Sequence, residues 1–96
     1  MKIYHPYLSD KKEKKFFIIT PNNKKIYFGA NGYEHYTEGP LDEKRKINYI
    51  KRHYKKEDFN NPNSAGFWSF RFLWLHKTYK KAYEEIKKFL KQQNLL

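Results

Sequence analysis

Nine consecutive residues, Gly66-Phe67-Trp68-Ser69-Phe70-Arg71-Phe72-Leu73-Trp74, carry both tryptophans and three of the eight phenylalanines of the chain. Coiled as a helix, this run is apolar almost all round, so the rest of the chain or a partner must cover it. A chain of 96 residues buries only about 60–65% of the surface it exposes when unfolded. Each aromatic side chain can bury roughly 150–250 Å², so a few of them can seal a small core. The run therefore reads first as core, with Trp68 and Leu73 inside and Phe70 or Arg71 at the rim. The competing reading is an exposed docking patch of Trp68, Phe70, Arg71 and Trp74, since aromatics and arginine are enriched at binding hot spots.

Shorter patterns place elements on either side of this run. Lys14–Thr20 and Lys25–Ala30 are β-branched and aromatic segments separated by Pro21-Asn22-Asn23-Lys24, which predicts a β-hairpin. A further strand falls within Lys2–Leu8, where Pro6 favours an edge. Residues 31–39 form a loop, and Gly29 and Gly32 suit unusual backbone angles. Pro40 opens a helix over about Leu41–Tyr54, with Ile47, Ile50 and Tyr54 as the buried stripe and Arg45 and Arg52 directed away from it. Ser64 caps a short helix, and Thr78 caps a long amphipathic one with Ala82, Ile86, Phe89 and Leu90 on its core side. Glu84 and Lys88 are spaced to pair on that helix. The expected fold is one α+β domain over residues 1–96, a two- or three-stranded antiparallel sheet packed by two to three helices.

Net charge of +11 predicts attraction to polyanions and leaves the fold open. Seven lysines face only Asp10 and Glu13 in residues 1–30, and seven Lys/Arg face only Glu84 and Glu85 in residues 61–96. The middle third is nearly balanced. If the two ends meet, they form one basic face. There is no cysteine, which excludes disulfides and thiolate metal sites. No apolar run reaches the ~18 residues of a membrane span, and residues 1–7 do not resemble a secretion signal.

The ordered set Phe28-Gly29-Ala30-x-Gly32-Tyr33-x-x-Tyr36-Thr37, Arg45-Lys46-x-x-Tyr49-Ile50-x-Arg52-His53, Gly66-Phe67-Trp68-Ser69 and Leu73-Trp74 resembles an uncharacterised family of small basic proteins from large nucleocytoplasmic DNA viruses. The resemblance spans about Lys15–Thr78. His35 stands where relatives often carry Asp, Phe59 where they often carry Trp, and Phe70-Arg71 reverses their order. The resemblance implies a viral protein made inside the host cell, in cytoplasm or nucleus, associated with viral factories or virions and not secreted. It supplies no activity.

Two functions follow from these features. The leading one is non-enzymatic binding of nucleic acid, mainly through its phosphates and with little sequence selectivity, by Lys11, Lys12, Lys14, Lys15, Arg45, Arg52, Lys77, Lys80 and Lys81. The other is a minor capsid or cement protein that bridges viral structural proteins through the 66–74 patch. Arg45 and Arg52, two turns apart, could instead pair with Glu34, Glu38, Glu57 or Asp58. His5, His35, His53 and His76 have no metal-ligand spacing. His35, Asn48 and His53 invite a His-Asn-His nuclease reading, but that arrangement needs its hairpin after the first histidine. No catalytic residue, metal, cofactor, small-molecule substrate or membrane contact is expected.

Overall fold

A computed structural model describes residues 2–31, 35–37, 42–53 and 59–96. Strands β1 (Tyr7–Leu8), β2 (Lys14–Ile19) and β3 (Lys25–Ala30) precede helices α1 (Glu43–His53), α2 (Ala65–Trp68) and α3 (Tyr79–Gln92). The fold is α+β, with an antiparallel sheet in the order β1-β2-β3. The expected hairpin forms as read. The Thr20 amide donates to the Lys24 carbonyl at 2.9 Å, and the Asn23 amide donates to the Thr20 carbonyl at 2.9 Å. Asn23 takes the left-handed angle that closes the turn, φ 62°, which asparagine tolerates better than most residues.

Register places Phe16 opposite Phe28 and Ile18 opposite Ile26. Ile18 and Phe28 are fully buried beneath the helices. Phe17 belongs to the other face and is buried too. The Tyr7 and Tyr27 rings close over it at 5.7 and 5.6 Å, and the Lys25 ammonium sits 4.8 Å above its ring. Both faces of β2 are thus covered, which is why its apolar residues run without alternation.

The run at 66–74 is the core. Ser64 Oγ accepts the Phe67 amide at 3.2 Å and starts α2. The chain then widens into a π-helical turn, Ser69–Trp74, whose last three residues, Phe72, Leu73 and Trp74, are all buried. Trp68 is fully buried, and its indole N–H donates to the Pro62 carbonyl at 2.8 Å. Trp68 and Trp74 therefore do not form the docking patch entertained above, because both rings are already spent on packing the interior. Phe70 and Arg71 lie half-buried at the rim. Phe70 stacks on Phe59 at 4.3 Å, and Arg71 donates to the Phe59 carbonyl at 3.0 Å while its guanidinium lies over the Phe67 and Phe89 rings.

Thr78 caps α3 by accepting the Lys81 amide at 3.1 Å, and Ala82, Ile86 and Leu90 face the core. Lys88, the expected partner of Glu84, reaches Glu85 instead, at 3.3 Å. Glu85 also takes Lys81 at 2.9 Å. Residues three and four apart are both neighbours on a helix surface, so spacing alone leaves either acid open to Lys88.

Helix α1 is rotated from its expected setting. Ile50 packs against the core as expected, but Ile47 is 50% exposed while Tyr49 is 6% exposed, and Tyr54 lies outside the described residues. The reason is Trp74, whose flat ring is better matched by an aromatic than by isoleucine. Tyr49 stacks on it at 4.6 Å with planes 9° apart. The rotation also turns Arg45 and Lys46 inward. Arg45 lies 5.8 Å over the Trp74 ring, and Lys46 donates to the Leu75 carbonyl at 3.1 Å.

Candidate functional site

Among the described elements, α1 packs only on the π-helical turn, and a gap opens between it and β3. That gap is a cavity of about 800 Å³. Lys14 reaches it from the sheet, and Arg45, Asn48, Lys51 and Arg52 reach it from α1. Gly29, Ala30, Ala65, Gly66 and Ser69 line it without filling it. Gly29 is required on two counts. Its φ of 79° suits glycine, and a Cβ there would stand 2.9 Å from the Leu73 side chain.

A column of rings forms one side of the cavity. Trp74 stacks on Tyr49, and His53 tilts against Tyr49 at 4.4 Å. His35 meets the edge of Trp74 at 5.5 Å. Lys15 Nζ lies 2.8 Å from His35 Nδ1. Beneath the column the Tyr36 hydroxyl donates to Glu43 at 2.7 Å, a bond that raises the phenol above its usual range. The Glu43 carboxylate is thereby turned to Tyr36. No carboxylate is among the described residues that line the cavity.

A second, shallower depression of about 600 Å³ adjoins it, lined by Lys11, Lys12, Lys14, Lys15 and Asn31. Asp10 shares this wall. The Tyr27 hydroxyl donates to it at 2.7 Å and holds its carboxyl below the usual range, with Lys25 at 4.0 Å adding to the effect. Lys14 borders both depressions and joins them. Of the nine cations read from the sequence, Lys11, Lys12, Lys14, Lys15, Arg45 and Arg52 thus fall on one connected surface. Lys77, Lys80 and Lys81 line neither depression. Lys81 is held by Glu85, which raises the Lys81 pKa. The basic face therefore draws on two stretches of the chain and not on three.

The acids weighed as partners for Arg45 and Arg52, namely Glu34, Glu38, Glu57 and Asp58, lie outside the described residues. Asn48, Lys51, His35, His53 and Ser69 join the site although none of them was read as a nucleic-acid-binding group. Asn48 was recoverable, because it lies three residues from Arg45 and four from Arg52 on the helix, and Lys51 lies three beyond Asn48. His35 and Ser69 had no such signal, since only the tertiary fold brings their segments here. His35, Asn48 and His53 do line one cavity, yet the hairpin precedes His35 as the sequence order dictates.

Residues 5–53 match a family of unknown function, DUF5754, over just more than half of the chain. The chain belongs to that family. No curated protein and no solved structure matches it. The DUF5754 segment contains the whole sheet and α1, and with them every cation of the connected surface. The Ala65–Ser69 side of the cavity and Trp74 stand outside the matched segment.

Proposed function

We propose that this DUF5754 chain is a non-enzymatic nucleic-acid-binding protein that holds the phosphate backbone in the cleft between α1 and the sheet. The observation that carries the reading is that Lys14, Arg45, Lys51 and Arg52 line one concave site from two separate elements. Arginine forks suit phosphate oxygens, and closely placed lysines add field without demanding sequence. The Lys11–Lys15 segment extends the track beyond the cleft. A viral origin, and a place in the viral factory or virion, belong to the same proposal and rest on the sequence motifs alone.

The bridging alternative draws no support from the 66–74 run, whose tryptophans are buried. The test is fluorescence anisotropy of labelled DNA and RNA at two salt concentrations. The reading expects binding at about 50 mM salt that weakens by at least roughly tenfold at about 200 mM, the behaviour of several released counterions. Binding that ignores salt, or no binding at the lower concentration, contradicts it.

A further inference from the structure

We infer that the cleft takes a single strand, or the unpaired end of a duplex, in preference to continuous double-stranded nucleic acid. The inference rests on the phosphate-binding reading above and adds the form of the ligand to it.

Three observations carry it. First, the cations stand on both sides of a concavity, Lys14 from the sheet and Arg45, Lys51 and Arg52 from α1. A ligand that satisfies both sides must enter between them. A duplex carries its phosphates on the outside of a wide, stiff cylinder and can touch only the rim. One strand can pass between the walls, as in the grooves that track single strands. Second, the volume of about 800 Å³ is of the size that encloses a small ligand, roughly 300–1,000 Å³. It can accept a nucleotide unit but no part of a paired helix. Third, Arg45 and Arg52 are seven residues apart on α1, about 10 Å along its axis. That distance exceeds the spacing of adjacent phosphates on one strand, so the binding unit is a run of backbone and not a lone phosphate. Between these arginines stands Asn48, exposed at the cleft. Its amide can both donate to and accept from a base edge.

The test compares a labelled single strand of about 12 nucleotides with a blunt duplex of the same sequence, using the full chain at about 100 mM salt. The inference expects the single strand to bind at least roughly fivefold more tightly. It also expects Ala65→Trp, at an exposed residue of the cleft wall, to weaken single-strand binding more than duplex binding and so remove that advantage. Circular dichroism of the variant confirms that the fold is kept. Equal binding of the two forms, or tighter binding of the duplex, overturns the inference and leaves the phosphate reading standing. Loss of both ligands at low salt overturns the two together. An Ala65→Trp variant that is folded and keeps the full single-strand advantage shows that the strand lies elsewhere, and also overturns the inference.

Discussion

Single side chains explain why this small chain can hold a cleft open. Gly29 lets β3 pass Leu73 without a clash, and Trp68 fills the centre while its indole N–H is satisfied by Pro62. Arg71 lies over two phenylalanine rings, and burial lowers its pKa. Burial also pushes His76 below its ordinary value of 6.5. Glu85 opposes that shift, while Lys46, Lys81 and Arg71 reinforce it. The folded state therefore binds fewer protons than the unfolded state in the window between the two values. By linkage, the His76 contribution is fully present above 6.5 and is lost as pH falls through the lowered value. The midpoint of thermal unfolding should accordingly drop less between about pH 7 and pH 5 in His76→Gln than in the wild type. Parallel curves for the two proteins would contradict this. The helix caps at this scale were legible in the sequence. Ser64 and Thr78 cap their helices because capping needs only the hydroxyl and the next three residues. The lowered pKa of His76 was not legible, since its neighbours come from separate elements.

At the scale of elements, the sheet and α3 follow from periodicity and turn chemistry, whereas the π-helical turn and the setting of α1 do not. The widened turn depends on Thr37, far away in sequence. Its amide donates to the Leu73 carbonyl at 2.9 Å, and its hydroxyl lies 2.8 Å from the His76 carbonyl and 3.2 Å from that of Phe72. These contacts satisfy carbonyls that the end of the turn leaves without helical partners. Thr37→Val keeps the amide contact and removes the hydroxyl. It should cost about 1–3 kcal/mol, the penalty for a buried polar group left without its partner, read as a lower unfolding midpoint. An unchanged midpoint would show that the turn holds itself. The setting of α1 escaped the sequence for a related reason. Helical spacing identifies a stripe of apolar residues, but it gives no weight to a ring waiting on the other side. Tyr49 takes the core position because Trp74 is there to stack against, and Ile47 is left half-exposed. That rotation is also what turns Arg45 toward the cleft.

For the whole molecule, composition predicted a polyanion partner and the fold determines where one would fit. The excess of positive charge lies in the first and last thirds of the sequence, yet the surface that forms joins the first third to α1 in the nearly balanced middle. The Lys11–Lys15 segment and α1 converge at Lys14, while Lys77, Lys80 and Lys81 line neither depression and Lys81 is held by Glu85. No helix among the described residues is long and apolar enough to cross a membrane. The DUF5754 segment holds the converging stretches. The aromatic run that the sequence displays most openly serves chiefly to seal the core and to prop α1 away from the sheet.

The measurement that tests this account most directly is the salt dependence of single-strand binding in the wild type and in the Arg45→Ala/Arg52→Ala double variant. Each phosphate contact on a single strand contributes about 0.7 to the slope of log K against log salt. The account predicts that the double variant binds more weakly and that its slope is shallower by about 1.4. A folded double variant with the wild-type slope and affinity would contradict the claim that this cleft holds the phosphate backbone.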